Sequence, residues 1–224
     1  MQPYFLPYIG YWQLINTVDT FVIYDDVNFI KKGYVNRNSI LNAGHRQRII
    51  LELIGASQNI LIKEIEVGRN RGKILKSIDH AYKKAPEFEK VFPLIQIILD
   101  NPEKNLAKFL GNSIKMIVEY LGIDTKIIYS SDIEKDNNLK AQAKILDICQ
   151  RLGASQYINA IGGKELYIQE AFKNKGIELN FLQAELLEYK QFNNKFIPHL
   201  SIIDVMMFNS KETIPNMMKS YKLL

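Results

Sequence analysis

Four short stretches carry residue types that can do chemistry. Asp25-Asp26 closes the apolar run Phe21-Val22-Ile23-Tyr24. Paired carboxylates at the end of a buried strand can serve as general base, bind a metal or hold a sugar hydroxyl. The plainer alternative is that one caps the next turn and the other is solvated. No histidine neighbours the pair in sequence, so it is not by itself a metal motif. Ile161-Gly162-Gly163-Lys164 falls between an expected strand and an expected helix. Two glycines there let backbone approach an anion, a helix start offers free N–H groups, and Lys164 adds positive charge. The alternative is a tight turn that needs glycine only for its φ angles. The spacing fits neither a P-loop nor a dinucleotide fingerprint. Asn36-Arg37-Asn38 reads either as a turn rich in asparagine or as a bidentate Arg37 grip on a phosphate or carboxylate. His199-Leu200-Ser201-Ile202-Ile203-Asp204 holds the residue types of a catalytic triad. Its spacing is closer to a helix cap, with Ser201 as the capping residue and Asp204 near the positive helix end. His199 follows Pro198 and is the best base candidate in the chain.

The elements that must position these residues are legible in outline. A short helix is expected over 10–18, then a buried strand over 21–24. Residues 39–41 and 48–54 read as a hairpin around the turn at 42–45, and 61–67 as a further strand. Helices are expected over 72–84 and 88–99. Asn101-Pro102 has the look of a helix start, and Leu106, Phe109, Leu110, Ile114, Ile117 and Leu121 recur at helical spacing before Gly122. Beyond that the pattern alternates: strand 126–129, helix 139–152, strand 157–159, helix 164–175, strand 177–182, and a mostly helical end over 201–221. The fold class expected is α/β, a mainly parallel sheet with flanking helices and a small β-hairpin/helical insertion. A helical subdomain near 72–122 is a soft division at most.

Composition limits the function classes. The chain has 224 residues, 47% apolar and 24% charged, enough for one sizeable domain. No segment is long and apolar enough for a membrane span. The single cysteine, Cys149, cannot form an intrachain disulfide and falls on an apolar stripe, so a cytoplasmic location is the natural reading. Net charge is +5, with ten Lys/Arg between Lys31 and Lys76 opposed only by Glu52, Glu64 and Glu66. This segment is either an ordinary solvated face or a surface for a phosphorylated small molecule or RNA. No helix-turn-helix or zinc pattern points to DNA.

The opening run Gln2-Pro3-Tyr4-Phe5-Leu6-Pro7-Tyr8-Ile9-Gly10-Tyr11-Trp12-Gln13 is too particular for composition to explain. Phe5, Leu6, Ile9 and Trp12 read as core. Gln2, Tyr4, Gly10, Tyr11 and Gln13 fall on a loop that leads into the first helix. The order loop, glycine-aromatic, strand is faintly similar to nucleotidylyl transferases, but Tyr11 stands where those carry a histidine.

This opening run, the FVIYDDV run, the NRN triplet, IGGKELY and HLSIID together resemble the WbqC-like protein family. They span nearly the whole chain, which implies one domain over 1–224. The resemblance implies a transferase of surface polysaccharide (O-antigen) biosynthesis, moving a glycyl or other acyl group onto a nucleotide-linked amino sugar. A nucleotide-sugar- or RNA-binding protein without turnover is the alternative. Carried onto this sequence, the resemblance makes Asp25, Asp26 and His199 the catalytic candidates. Gln2, Tyr4, Gly10, Tyr11, Asn36, Arg37, Gly162, Gly163, Lys164 and Tyr167 become the substrate-binding candidates. It specifies no metal and no cofactor. The five stretches are expected to meet at one cleft on the carboxyl edge of the sheet. Members of the family also place a short strand ahead of Gln2-Pro3, so the central sheet of this chain is expected to lack one strand.

Overall fold

The computed structural model describes residues 1–224. The opening loop leads into α1 (Ile9–Asn16) and β1 (Thr20–Ile23). The hairpin β2 (Arg37–Asn42) and β3 (His45–Ile50) follows, then the two-residue strands β4 (Leu53–Ile54) and β5 (Glu66–Val67). Three helices come next: α2 (Arg71–Tyr82), α3 (Phe88–Asp100) and α4 (Leu106–Leu121). The second half runs β6 (Lys126–Tyr129), α5 (Ala141–Arg151), β7 (Gln156–Ala160), α6 (Gln169–Lys173) and β8 (Glu178–Ala184). It ends with α7 (Ile202–Phe208), α8 (Ile214–Met218) and β9 (Tyr221–Leu223).

The α/β class holds, but one mainly parallel sheet does not form. Four small sheets do. β1 pairs in parallel with β6, Thr20 opposite Lys126 and Ile23 opposite Tyr129. β7 pairs in parallel with β8, and β9 closes that sheet antiparallel, Leu182 opposite Leu223. The hairpin β2–β3 and the β4–β5 pair are antiparallel. β1 and β7 share no backbone hydrogen bond, so the two parallel units stay separate.

Local corrections have physical causes. The expected strand over 61–67 is broken by a 3-10 turn at Ile62–Glu64, whose Glu64 carboxylate accepts from the Leu61 N–H. The expected helix over 164–175 is a 3-10 segment at Ile161–Leu166 followed by the five-residue α6. No long helix start therefore faces Gly162-Gly163. The helix expected from Asn101-Pro102 begins later. Asn105 is the cap of α4 and accepts from the Lys108 N–H at 3.0 Å.

The core is one large cluster, with Trp12, Ile15, Ile40, Phe109 and Ile114 all fully or almost fully buried, and a smaller one around Ile145, Phe172 and Phe181. A buried polar knot ties the helices to the hairpin. Asp204 on α7 accepts from the Tyr82 hydroxyl at 2.8 Å, the Tyr189 hydroxyl at 2.6 Å and the Gln191 amide at 2.6 Å. Tyr82 in turn accepts from the Leu41 N–H at 2.8 Å. Ser201 caps α7 as expected, accepting from the Ile203 N–H, but Asp204 serves this knot instead of reaching back to the cap. Tyr82→Phe should cost about 1–3 kcal/mol in urea unfolding, because it strands the Leu41 N–H and removes one donor from a buried carboxylate. A cost below about 0.5 kcal/mol would mean that the knot is slack.

Candidate functional site

Parallel strands deliver their following residues to one edge, and ligands in such sheets sit there. At that edge β1 presents Tyr24-Asp25-Asp26 and β6 presents Ser130-Ser131 in a 3-10 turn. Asp25 is buried and accepts from the Ser131 N–H at 3.0 Å and the Ser131 hydroxyl at 2.6 Å. Asp26 is also buried. Its Oδ2 receives Lys135 at 2.9 Å and Lys144 at 3.0 Å, both ammonium groups being buried themselves. Lys144 also donates to the Asp26 carbonyl at 3.0 Å and lies over the Tyr24 ring, 5.3 Å from its centre. Lys135 is tied further to the carbonyls of Ser130 and Ile133.

Burial pushes the Asp26 carboxyl upward, but Ser130, Lys135 and Lys144 outweigh it and hold the group below the usual carboxylate value. Asp26 is therefore a poor proton acceptor and a firm anchor for two lysines. Two ammonium groups share the Asp26 carboxylate, and the buried Asp25 carboxylate beside it brings the charges at this edge into balance. Asp26 Oδ1 and the Ser130 hydroxyl are buried beside one another there, and neither bonds any third group.

The second parallel unit contributes the neighbouring wall. Tyr24 packs with Tyr157, Ile161 and Tyr167 around the smaller core cluster. The Tyr167 and Tyr157 hydroxyls are 3.2 Å apart. Gly163 sits so close to Asn159 that a Cβ would lie 2.8 Å from its side-chain amide, which explains a glycine at that position without an anion. Gly162 and Lys164 are exposed.

The other candidates build a frame next to this edge. The Gln2 carbonyl accepts from the Tyr11 hydroxyl at 3.0 Å, and Tyr4 packs on Tyr11 and Tyr34. A Cβ on Gly10 would lie 2.6 Å from the Tyr8 ring, so only glycine lets that ring fold over the start of α1. Asn38 donates to the carbonyls of Phe5 and Leu6, and the Ser201 hydroxyl donates to the Leu6 carbonyl at 2.7 Å. Leu6 is held at φ 46, a costly conformation for leucine, by these buried bonds. NRN and HLSIID thus clamp the opening run. Asn36 donates to the Leu51 carbonyl and Arg37 to the Gly33 carbonyl, so both shape the hairpin.

The five stretches accordingly fall into two groups. Asp25, Asp26 and Tyr167 lie beside Tyr24, while Gly162, Gly163 and Lys164 sit on the 3-10 segment that leads from β7 to Tyr167. The opening run, NRN and HLSIID interlock beside them, joined through Met1, whose carbonyl accepts from the Tyr24 N–H at 2.8 Å. His199 is exposed at φ 55 and lies edge-on to Tyr8, 6.0 Å between ring centres. No contact connects it to either carboxylate.

Sequence reasoning missed Lys135, Lys144, Ser130, Ser131 and Tyr24. Lys144 carried a signal, since it shares the buried face of α5 with Ile145, Ile148 and Cys149. A lysine on an apolar stripe is rarely there without a partner.

With fold and site in view, the chain belongs to the WbqC-like protein family, whose sequence model matches residues 2–216. It is similar to the Uncharacterized protein Rv1507c of Mycobacterium tuberculosis (strain ATCC 25618 / H37Rv). The two are 25% identical over 224 residues, covering 98% of this chain and 96% of that protein. No solved structure matches.

Proposed function

We propose that the chain binds a nucleotide-linked amino sugar at the Asp26–Lys135–Lys144 cluster and transfers an acyl group to its amine, within surface polysaccharide synthesis. The observation that carries this reading is the ion cluster of Asp26, Lys135 and Lys144 at the carboxyl edge of β1 and β6, next to the exposed Ser131 that bonds Asp25. A phosphate at the rim of this edge would lie in the field of Lys135 and Lys144, and the exposed Ser131 hydroxyl can meet a sugar hydroxyl. In the transfer step the sugar amine attacks the acyl carbon of an activated donor, such as a thioester, an adenylate or a charged tRNA. The bond to the leaving group breaks, and that group departs with the electron pair. Asp26, held ionised by its lysines, is a poor recipient for the amine proton. The Asp25–Ser131 couple is the better one: the exposed serine hydroxyl takes the proton and passes its own to the buried carboxylate 2.6 Å away.

Asp25→Asn is expected to lower transfer at least a hundredfold while leaving nucleotide-sugar affinity within about threefold. Rates and dissociation constants measured on the same preparation decide it. Turnover unchanged in this variant removes Asp25 from the mechanism. Binding of the nucleotide sugar with no transfer from any donor class would favour the non-catalytic reading.

RNA binding is favoured by one separate feature. Tyr34 is 62% exposed on the loop that also carries the exposed Lys31 and Lys32, an aromatic and basic surface suited to stacking. RNA held there should lose affinity steeply between 50 and roughly 200 mM salt, and a nucleotide sugar at the lysine cluster much less so.

A further inference from the structure

The loop between β1 and β2 turns an unusual set of side chains outward. Phe29 and Val35 are buried and anchor its two ends, and the Tyr34 carbonyl accepts from the Phe5 N–H at 3.0 Å. Between these anchors the Gly33 N–H closes a tight turn onto the Ile30 carbonyl at 3.3 Å, with Lys31 and Lys32 at its tip. Ile30 is 53% exposed and Tyr34 62%. Arg37 donates to the Gly33 carbonyl at 2.8 Å and lies opposite Ile50 across the hairpin. Residues paired across strands share a face. The turn therefore abuts the outer row of β3, where Arg46, Arg48 and Ile50 are exposed while Ile49 is buried.

The charge on this face is of one sign. No Asp or Glu occurs from Val27 to Leu51, a stretch that holds Lys31, Lys32, Arg37, Arg46 and Arg48. The ion pairs of the chain use Lys90, Lys135, Lys144, Arg151 and Lys222, so none of these five cations has a carboxylate partner. Glu52 continues the β3 row, and its carboxylate accepts from the Arg69 N–H. An ordinary solvated face intersperses cations with carboxylates and exposes few large aliphatic side chains. Here two isoleucines and a tyrosine stand among unpaired cations.

We propose that this face docks on an anionic lipid surface. Ile30, Tyr34 and Ile50 enter the boundary between headgroups and acyl chains, while Lys31, Lys32 and Arg48 meet lipid phosphates. Tyrosine suits that depth, because its ring is apolar and its hydroxyl stays wet. The lysine stems lie along the apolar side chains and carry their ammonium groups outward. The cations and Tyr34 by themselves would equally suit RNA. The exposed isoleucines decide for lipid, because an aliphatic side chain neither stacks on a base nor bonds a phosphate. Phe29 and Val35 already hold the loop, so docking has little chain left to order.

The test is co-sedimentation of the full chain with vesicles of equal parts phosphatidylglycerol and phosphatidylcholine, and with vesicles of phosphatidylcholine alone. The wild type is expected to partition at least about tenfold more strongly onto the anionic vesicles. Each cation near an anionic leaflet contributes roughly fivefold, so Lys31→Gln with Lys32→Gln should weaken partition by about tenfold or more. Ile30→Ser with Ile50→Ser should weaken it about fivefold at unchanged charge, and thermal unfolding checks that both variants are folded. Absence of wild-type partition onto the anionic vesicles overturns the proposal, and so does undiminished partition of the isoleucine variant. Polyuridylate held more tightly than the anionic vesicles, and alike by the wild type and the isoleucine variant, assigns the face to nucleic acid and overturns it as well. None of these readouts uses a nucleotide sugar, so the result stands apart from the proposed activity.

Discussion

Asp26→Ala is expected to cost about 3–5 kcal/mol of folding stability, because it leaves two buried ammonium groups without their carboxylate. For a chain of 224 residues this corresponds to a fall in Tm of roughly 6–20 °C. The size follows from burial: the side chains of Lys135 and Lys144 are only 1% and 8% exposed, so water cannot replace the lost partner. Backbone carbonyls keep some bonds to each lysine, which sets the lower end of the range. Adding Lys135→Met to Asp26→Ala should recover part of the loss, since removing the stranded charge removes its desolvation cost. Chemical denaturation of the two singles and the double measures this coupling. A cost under about 1 kcal/mol for Asp26→Ala would show that the lysines reach solvent and that the cluster is not a closed electrostatic unit.

Asp204→Ala is expected to have an effect of similar size, about 3–5 kcal/mol, by stranding the Tyr82 and Tyr189 hydroxyls and the Gln191 amide at once. This carboxylate has no cation beside it. Burial raises its pKa, and hydrogen bonds from Tyr189, Tyr82 and Gln191 offset that only in part. With the folded pKa above the unfolded value of about 3.9, the unfolded state releases its proton first as pH rises. The stability contribution of this group is thus fully present below about pH 4 and is lost as pH rises through the folded pKa. Asp204→Asn cannot ionise, so wild-type stability relative to this variant should decline from about pH 4 upward. A difference that stays flat over that range would mean that Asp204 titrates like a solvated carboxylate.

Much of the fold was legible because apolar periodicity and end signals are local. The α4 stripe from Leu106 to Leu121 and its Gly122 stop, the 21–24 strand and the hairpin around 42–45 all formed. Whether short parallel strands join into one sheet depends on what lies between them, and neither the 20–24 segment nor the 156–160 segment records that. The site was half legible. Asp25 and Asp26 announced themselves as paired carboxylates, but their partners come from residues 130–144, more than a hundred positions away. Only Lys144 on an apolar helix face hinted at them. Asn36 and Arg37, weighed as a grip on a phosphate or carboxylate, donate to the backbone carbonyls of Leu51 and Gly33, and Asn38 holds those of Phe5 and Leu6. A buried amide or hydroxyl that supports a strained loop has the same sequence signature as one that meets substrate. Position in space alone separates the two.

The most direct test of the central claim is a calorimetric titration of nucleoside-diphosphate amino sugars into the wild-type chain and into Lys144→Met. Thermal unfolding of the variant serves as a check that it is folded. The account predicts saturable binding to the wild type with one ligand per chain, and at least tenfold weaker binding to folded Lys144→Met. Equal affinity in the two proteins, or no binding of any such sugar to the wild type, would contradict the placement of the ligand at the Asp26–Lys135–Lys144 cluster.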